Sequence, residues 1–262
     1  MSNDGGNSKF SLDPLVEVMK TLRGDNGCPW DKEQNHESLK KYIIEEAYEV
    51  VDAIDQKDMH KLCEELGDLL LQIVFHAQLA QEKGHFNICD VVCGVTEKMV
   101  RRHPHVFGKD HAETAEQVLV KWDQIKAQEQ DASQTILDVP KNFPSLYRAQ
   151  KIQKKAARVG FDWPSIDGAW DKVSEEMSEF KEAIRKGKGQ KEELGDVFFA
   201  LVNIARFVDI DAEEALHETI NKFMRRFSFM EQKAKDINSK LEEMSLEELD
   251  ELWNKAKMQE KT

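Results

Sequence analysis

The spacing of hydrophobic positions predicts helices along most of the chain. Apolar residues recur every three or four positions from Leu39 to Ile54, which is the pattern of one buried helix face. The segment from Leu62 to Ala80 is apolar on almost every side after its first turn, which predicts a buried helix. Further helices are predicted from Val91 to Arg102, ending before Pro104, and from about Ala115 to Gln128. Because alternating β-branched runs are nearly absent, we predict an all-α fold.

The same order of features occurs twice in the chain. EEAYEV at 45–50 is matched by EEMSEF at 175–180, and EELGDLLLQIV at 64–74 by EELGDVFFALV at 192–202. KMVRR at 98–102 is matched by KFMRR at 222–226, and VKWDQIKAQE at 120–129 by ELWNKAKMQE at 251–260. Trp30, which precedes the first matched helix, has a counterpart in Trp163. Four blocks in one order indicate a duplicated domain and not a solenoid unit.

The segment between the two copies is rich in residues that interrupt helices. DASQTILDVPKNFPS at 131–145 contains Ser, Asp, Asn and two prolines, so we interpret it as an interdomain linker. The polar start of the chain, MSNDGGNSKF, has no apolar segment typical of a signal peptide. We therefore predict an N-terminal domain over 1–130, with a loose tail at 1–11, and a C-terminal domain over 146–262.

Composition and charge narrow the class of partner. The 262 residues include 50 acidic and 37 basic residues, a net charge of −13, which argues against binding to a nucleic-acid backbone. No run of about 18 apolar residues occurs, so we expect no membrane-spanning helix. The four cysteines lack a C-x-x-C pair and predict reduced thiols and a cytoplasmic location. The surplus of acids therefore needs another explanation.

Pairs of acids recur at helical spacing in both copies. Glu176 and Glu179 are three residues apart in one predicted helix, and Glu193 and Asp196 are three apart in the next. This spacing puts two side chains on one helix face, and two such helices could gather four carboxylates, the oxygen ligands that Mg²⁺ prefers. Isolated acids of this kind are usually solvated. The N-terminal copy offers Glu46, Glu49, Glu65 and Asp68, and the adjacent acids are Glu45, Glu64, Glu175 and Glu192.

Two sequence features favour a metal site over a solvated surface. The turns that follow Glu193 and Asp196 are apolar nearly all round, so we expect these acids to face inward, where carboxylates are costly unless paired or bound to metal. Gly67 and Gly195 lie between the acids of each copy, although glycine in a helix costs roughly 1 kcal/mol relative to alanine. We expect a neighbouring helix or a ligand to approach closely there.

Basic and aromatic residues accompany both sets of acids. Lys222 and Arg226 are one helical turn apart, as are Lys98 and Arg102, and either pair could bind phosphate. An exposed basic turn near a helix C-terminus explains them equally well. Trp122 and Trp253, near the ends of the copies, could pack in a core or stack on a nucleobase.

Other familiar sites are absent from the sequence. It contains no phosphate-binding glycine loop of either common type and no zinc-type cluster of Cys and His. His103 and His105 flank a proline, and we interpret them as a solvated turn or a helix cap.

The motif EExxE, a spacer and ExxD on a helical frame resembles the all-α nucleoside triphosphate pyrophosphohydrolases, and the duplicated layout resembles their bacterial MazG family. The likeness extends over nearly the whole chain and includes GCPWDKEQ at 27–34, RRHPHVF at 101–107 and RAQKIQKKAARVGFDW at 148–163. The resemblance implies two tandem four-helix-type bundle domains that dimerise. It also implies hydrolysis of NTPs and dNTPs to the monophosphate and pyrophosphate, with broad base tolerance.

The resemblance also implies roles for individual residues. Mg²⁺, with Mn²⁺ as an alternative, would be held by Glu176, Glu179, Glu193 and Asp196. Lys222 and Arg226 would bind the phosphates, with Lys172 as a further candidate, and Trp253 would lie against the base. Water would attack the α-phosphorus, and Glu175 or Glu192 would accept its proton. The equivalent N-terminal set is Glu46, Glu49, Glu65, Asp68, Lys98, Arg102 and Trp122.

Both copies keep the whole set, so the sequence does not identify an inactive one. Residues 1–130 carry a net charge of −9 and residues 131–262 a net charge of −4, which makes the C-terminal copy less repulsive to a polyanion. Pro104 also interrupts the chain just after Arg102, whereas the helix after Arg226 can continue. We therefore favour the C-terminal copy as the main catalytic unit. A nucleotide-sensing module that binds NTP–Mg²⁺ without turnover remains an alternative, and a purely structural helical dimer would leave the repeated acids unexplained.

Overall fold

The computed structural model describes residues 11–129 and 136–260. Within these two stretches every regular element is a helix, so the all-α prediction is confirmed. The described residues divide into two compact units, which we call the N-terminal unit (11–129) and the C-terminal unit (136–260). No helix in either unit is both long and apolar enough to cross a membrane. The four cysteines are free thiols, as predicted.

The N-terminal unit contains seven helices in its described residues. They are α1 (Asp13–Arg23), α2 (Pro29–Glu33), α3 (His36–Asp55), α4 (Met59–Glu82), α5 (Ile88–Arg102), α6 (Pro104–Phe107) and α7 (Ala115–Glu129). The four helices predicted from hydrophobic spacing are present, as α3, α4, α5 and α7. Helices α1, α2 and α6 were not predicted, and α1 packs along α4. Nearly all of the tail predicted at 1–11 lies outside the described residues.

The C-terminal unit repeats the longer helices of the first. Its helices are α8 (Ser145–Arg158), α9 (Ile166–Lys186), α10 (Gln190–Phe207), α11 (Ala212–Asp236) and α12 (Leu246–Gln259), with a 3₁₀ turn at Leu241–Glu243. The α9–α10 hairpin corresponds to α3–α4, and α8 packs against α10 as α1 packs against α4. Each unit therefore places an additional helix before the hairpin that carries the acids.

Side-chain caps explain where several helices begin. Asn35 accepts backbone hydrogen bonds at the start of α3 and Asp58 does so at the start of α4, while Ser245 forms a capping box at the start of α12. The α9–α10 turn uses Gly187 and Gly189, both with positive φ, which glycine adopts without steric cost. The corresponding α3–α4 turn puts Lys57 at φ 57° instead. These turns set the register that brings the acids of each hairpin together.

The two hairpins are less buried than the hydrophobic pattern predicted. In α10, Leu194, Phe198 and Leu201 lie on one face at i, i+4 and i+7 and are 37%, 51% and 43% exposed. The corresponding face of α4 exposes Leu66 and Ile73. The prediction of a helix buried on all sides is therefore wrong for these faces of α4 and α10. It holds for the second half of α4, where Val74, Phe75, Ala77, Leu79 and Ala80 are all buried.

The glycines between the acids are also open. A Cβ atom placed on Gly67 or Gly195 would meet no atom within 4 Å. The expectation that a neighbouring helix of the same unit approaches these glycines is therefore wrong. A ligand or a second copy of the chain remains as the group that could approach them.

The second part of the predicted linker packs against the C-terminal unit. Residues 131–135 lie outside the described residues, but Val139 is buried, and Lys155 of α8 donates a hydrogen bond to the Asp138 carbonyl at 2.7 Å. Because these contacts fix the chain on α8, residues 136–144 belong structurally to the unit that follows them.

Candidate active site

The α9–α10 hairpin gathers the predicted acids of the C-terminal unit. Oxygen atoms of Glu176, Glu193 and Asp196 lie within 4.8 Å of one another, and the same holds for Glu175, Glu176 and Glu179. Glu176 is shared by both groups and is only 6% exposed. Glu193 is half-buried, whereas Asp196 is exposed, so the expectation that both face inward is only partly met. The result is one cluster of carboxylates from two helices, which we call the C-terminal acid cluster.

Lys172 is the counterion of this cluster. Its Nζ is 2.7 Å from Glu176 Oε1 and donates a hydrogen bond to Glu175 Oε1 at 2.9 Å. These two carboxylates raise the pKa of Lys172 above its usual range, so the ammonium stays charged. The resemblance assigned Lys172 to the phosphates, and in the structure its ammonium group is paired with Glu175 and Glu176.

Crowding shifts the proton equilibrium of Glu193. Burial raises the pKa of its carboxyl group, and the neighbouring Glu179, Asp196 and Glu176 raise it further. Lys172 contacts Glu176 and Glu175 and no contact joins it to Glu193. Part of the cluster therefore carries repulsion that a bound cation would relieve.

The N-terminal unit forms a similar but smaller cluster. Oxygen atoms of Glu46, Glu49 and Glu65 lie within 4.8 Å of one another, and Glu65 is buried. Asp68 is exposed and close enough to raise the pKa of Glu46, although burial has the larger effect. Burial also raises the pKa of Glu65. The position of Lys172 is occupied here by Tyr42, so this cluster lacks the equivalent lysine.

The basic residues of the C-terminal unit lie with the tryptophan at the α11–α12 contact. Arg226 donates from Nε and Nη2 to Glu260 Oε2, at 2.8 and 2.6 Å, and its guanidinium lies 5.4 Å from the centroid of the Trp253 ring. A cavity of about 540 Å³ beside them is lined by Arg226, Asn254, Lys257, Met258 and Glu260. Lys222 is exposed on the preceding turn. The contacts described for this group do not join it to the C-terminal acid cluster.

The N-terminal unit repeats this arrangement. Arg102 donates to Glu129 Oε2 from Nε at 3.0 Å and from Nη2 at 2.6 Å, and Trp122 lies 5.9 Å from its guanidinium. Arg101 also donates to Glu129, and the two arginines lower the pKa of Glu129 to about 2. Lys98 is exposed. His103 ends α5, where its Nδ1 contacts the Met99 carbonyl and its ring packs on Trp122, so the cap interpretation fits its position.

Sequence reasoning missed the acidic partner of each arginine. Glu129 and Glu260 are the last residues of the matched blocks VKWDQIKAQE and ELWNKAKMQE. They form ion pairs with Arg102 and Arg226, the two arginines that the resemblance assigned to phosphate binding. Their recurrence at the same place in both copies was the signal that could have identified them.

A second cavity, of about 430 Å³, lies beside the C-terminal acid cluster, and its lining includes Leu137 and the buried Gln153 and Asn203. No signal in the sequence pointed to it, because buried glutamine and asparagine look like surface residues in a hydrophobic pattern.

The fold and the site together define a class of protein. An all-helical unit, present twice, holds carboxylates from two neighbouring helices in a cluster suited to a hard cation. A family model described as the MazG nucleotide pyrophosphohydrolase domain matches residues 34–107 and 169–228, which include the α3–α4 hairpin and most of α9 to α11. The chain belongs to the MazG nucleotide pyrophosphohydrolase family, a family of hydrolases, as the resemblance implied.

Two curated relatives are similar along nearly their whole length. The chain is 46% identical over 248 residues to the nucleoside triphosphate pyrophosphohydrolase/pyrophosphatase MazG of Thermotoga maritima, covering 94% of this chain and 95% of that protein. It is 44% identical over 257 residues to the nucleoside triphosphate pyrophosphohydrolase of Escherichia coli K12, covering 95% and 98%. A crystal structure of a mazG-related protein from Thermotoga maritima aligns with 28% identity and a TM-score of 0.38, covering 44% of this chain and 98% of that one.

Proposed function

We propose that the protein hydrolyses nucleoside triphosphates to the monophosphate and pyrophosphate in a Mg²⁺-dependent reaction, and that the C-terminal unit does most of this work. The observation that carries the proposal is the C-terminal acid cluster, in which oxygen atoms of Glu176, Glu193 and Asp196 lie within 4.8 Å of one another. Membership of a nucleotide pyrophosphohydrolase family and the names of the two relatives support the reaction class.

The donor set of the cluster fits a hard divalent cation. All of its candidate ligand atoms are carboxylate oxygens. Burial, and then repulsion from the neighbouring acids, raises the pKa of Glu193, and nearby positive charge would oppose both effects. Glu176, Glu179, Glu193 and Asp196 are the residues that would hold Mg²⁺, or Mn²⁺ in its place. The bound cation would neutralise phosphate charge and acidify a nearby water molecule.

The residues around the cluster have distinct roles in the proposed reaction. Glu175 and Glu192 are exposed carboxylates beside the ligands, and either can accept the proton of the attacking water. The water oxygen forms a bond to the α-phosphorus, and the bond from that phosphorus to the bridging oxygen of the β-phosphate breaks. Lys172 stays protonated and is positioned to offset charge on the phosphates.

Lys222 and Arg226 are proposed to bind the departing pyrophosphate, with Trp253 beside them. Arg226 is fixed by two hydrogen bonds to Glu260, so phosphate must displace that carboxylate or share the guanidinium with it. A carboxylate and a phosphate oxygen accept the same bonds from arginine, which makes this exchange chemically reasonable.

We also propose that the protein is a homodimer. The stripe formed by Leu194, Phe198 and Leu201 is apolar and exposed on the helix that carries Glu193 and Asp196. A stripe of this kind on two copies is self-complementary, and a twofold interface pairs the same surface of both partners. Pairing would also exclude water from one side of the acid cluster, which strengthens electrostatic interactions in the site.

The reaction is tested by the products. The protein is incubated with each NTP singly and Mg²⁺, and the products are separated by ion-exchange chromatography. We expect pyrophosphate and NMP, with no turnover after chelation. NDP and orthophosphate would contradict attack at the α-phosphorus, whereas Mg²⁺-dependent binding without products would favour a nucleotide-sensing module.

The contribution of each unit is tested with matched variants. We expect Glu193→Gln to lower kcat by at least about 100-fold, since it removes one cation ligand, while Glu65→Gln keeps most of the activity. Glu231→Gln changes an exposed acid of α11 outside both clusters and serves as the control. If Glu65→Gln abolished turnover and Glu193→Gln did not, the assignment to the C-terminal unit would be wrong.

A further inference from the structure

Two histidine side chains join the start of α3 to the second half of α4 in the N-terminal unit. The Nδ1 atoms of His36 and His76 are 2.8 Å apart, and the two rings are stacked, with centroids 5.1 Å apart and 10° between their planes. Both side chains are partly buried. The distance between the nitrogens is that of a hydrogen bond, so one ring donates its Nδ1–H and the other accepts it. We call this contact the histidine pair.

The histidine pair lies next to core residues of its unit along both helices. His36 is the first residue of α3 and precedes the buried Leu39 by one turn, and His76 follows the buried Phe75 on α4. Leu39 and Phe75 belong to one core cluster with Met19 of α1. The contact therefore fixes the start of α3 beside the part of α4 that contributes to this core.

The contact depends on the number of protons that the two rings hold. When both rings are neutral, one Nδ1–H faces one free Nδ1, and a single added proton still leaves one ring as an acceptor. When both rings are protonated, both Nδ1 atoms are donors, so the hydrogen bond is lost and two positive charges repel each other at close range. The second proton therefore opens the contact.

The surroundings of His76 oppose that second proton. Its Nε2 is buried without a hydrogen-bond partner among the described residues. Burial lowers the pKa of His76 below its usual value of 6.5, and the charge of His36 lowers it further. In the part of the chain that the structure describes, no other charged group shifts this pKa. His36 begins a helix, where the macrodipole also disfavours positive charge.

The charged groups on the surrounding helices are engaged elsewhere. On α3, Glu37 follows His36 and favours a charge on it, but this carboxylate is exposed and accepts a hydrogen bond from Lys40 at 2.9 Å. On α1, Arg23 donates to both carboxylate oxygens of Glu82 of α4, at 2.8 and 2.7 Å. Helix α2, which packs on α1, and the start of α5, which packs on α4, carry Asp31, Lys32, Glu33 and Asp90.

The proton fits this contact better than a metal ion does. Among the described residues, no third side chain of Cys, His, Asp or Glu joins the two rings in a group that could hold an ion. Metal sites in proteins usually have three or four protein ligands. Two imidazoles in direct contact are instead suited to titration near neutral pH.

The C-terminal unit has no titratable group at the matching positions. The blocks EEAYEV and EEMSEF align His36 with Ile166, and the EELGD blocks align His76 with Ile204. Ile166 begins α9 as His36 begins α3. The α9–α10 hairpin is therefore an internal comparison that lacks the pair.

We propose that the histidine pair is a pH-sensitive contact, which holds the start of α3 on α4 while at least one ring is neutral and releases it when both are protonated. The inference does not rest on the proposed function. As pH falls below about 6.5, the unfolded chain takes up protons that folded His76 refuses, so this part of the stability is present above pH 6.5 and is lost as pH falls toward the lowered pKa.

Hydrogen–deuterium exchange on the full chain locates the release. Exchange is measured by mass spectrometry at pH 7.5 and pH 5.0 in EDTA, with exchange times scaled for the pH dependence of the intrinsic rate. After scaling, we expect peptides from 34–44 and 70–80 to exchange at least about fivefold faster at pH 5.0, because local opening exposes their amides. Peptides from the matching stretches 164–174 and 198–208 should change by less than about twofold.

The matched variant carries the residues of the other copy. His36→Ile and His76→Ile together remove both titrating rings, so the acid-induced exchange should disappear and the melting temperature should fall by roughly 5 °C less than that of wild type between pH 7.5 and pH 5.0. Glu46 and Glu65, whose pKa values are raised, stabilise the fold as pH falls in both proteins, so the difference isolates the pair. His85→Asn removes an exposed histidine of the same unit and should behave as wild type.

Two results would overturn the inference. The first is wild-type exchange at pH 5.0 that is unchanged in α3 and α4 or that rises equally in both hairpins, a result that requires no variant. The second is a folded double variant that keeps the full pH dependence of wild type. If the double variant does not fold, the wild-type exchange pattern decides.

Discussion

At the scale of single residues, the chemistry of the acid cluster depends on an uneven distribution of positive charge. Lys172 compensates Glu176 and Glu175 through direct contacts, whereas Glu193 is left beside Glu179 and Asp196 with a raised pKa. Sequence spacing predicted that these acids share a face. It could not predict which of them has a cationic partner, because that depends on side-chain geometry between and along the two helices.

The first prediction concerns the stability of the metal-free protein. A raised pKa means that folded Glu193 holds its proton to higher pH than the unfolded chain does, where the value is near 4.5. The metal-free fold therefore loses stability as pH rises through the raised pKa. We expect Glu193→Gln to melt at a higher temperature than wild type at pH 7 in EDTA, with a difference that shrinks below about pH 4.5.

Magnesium should reverse the order of the two melting temperatures, so that wild type melts above Glu193→Gln. At a concentration 100 times its dissociation constant a bound ion stabilises the folded protein by about 2.7 kcal/mol, and the variant lacks one of the proposed ligands. Differential scanning calorimetry with and without Mg²⁺ measures both effects, and Glu231→Gln is the control. A variant that melts below wild type in EDTA would show that the Glu193 carboxylate does not destabilise the metal-free fold.

The second prediction concerns Glu260, whose carboxylate accepts two hydrogen bonds from Arg226. If phosphates bind this arginine, Glu260→Gln removes a charged competitor, and KM for ATP should fall by a factor of about three to five. Glu129→Gln makes the same change beside Arg102 in the N-terminal unit and should leave KM unchanged. A rise of KM in Glu260→Gln would mean that the carboxylate positions the arginine and does not compete for it.

At the scale of helices, the sequence predicted most of the α3–α4 and α9–α10 framework but not α1 or α8. Helix α1 buries only Met19, and the buried residues of α8 are Gln150 and Gln153. A hydrophobic pattern cannot show that a helix packs through glutamines. Gln150 is buried because its amide bonds the chain at Ile210 and Ala212, where α10 ends and α11 begins. These contacts are between elements far apart in the chain, so only the folded structure reveals them.

The third prediction concerns the open glycine of α10. Gly195 lies between Glu193 and Asp196 of the acid cluster, and, apart from its chain neighbours and the backbone of its own helix, a Cβ would meet no atom of the described chain within 4 Å. Gly195→Ala should therefore increase the free energy of unfolding by about 1 kcal/mol, which urea denaturation measures. If a ligand or a second copy approaches this face, as proposed, kcat/KM for ATP should fall.

Gly67→Ala supplies the matched comparison in the N-terminal unit. It should give the same gain in stability because its Cβ would also meet no atom within 4 Å. We expect activity to be retained there. Unchanged activity in Gly195→Ala would show that nothing approaches the glycine during turnover.

At the scale of the whole molecule, the duplication produces two units that share their longer helices and differ in their interiors. The surplus of 50 acidic over 37 basic residues is partly accounted for by the two acid clusters, which the repeated motifs predicted. The difference between the units could not be predicted from the motifs. The C-terminal unit has Asn203 where the N-terminal unit has Phe75, and Lys172 where the N-terminal unit has Tyr42. The sequence does not show which neighbours these side chains contact, and the folded structure does.

The fourth prediction concerns assembly. If the exposed stripe of α10 pairs two copies, light scattering after size exclusion should give about twice the 30.2 kDa mass of the chain. Phe198→Asp places a charge in the stripe and should give the mass of one chain. Leu246→Asp adds the same charge at the exposed start of α12, where an acid is favourable, and should remain dimeric. A wild-type mass of one chain would rule out the dimer.

The packing of Val139 and Leu137 determines where this chain can be cut to isolate its second unit. A fragment that starts at residue 146, the boundary suggested by the linker composition, loses Val139 from the interior and Leu137 from the wall of the cavity. Loss of one buried valine alone costs about 2 kcal/mol. A fragment that starts at residue 136 keeps both, together with the bond from Lys155 to the Asp138 carbonyl. We expect the longer fragment to melt higher and to be the better choice for expressing the unit on its own.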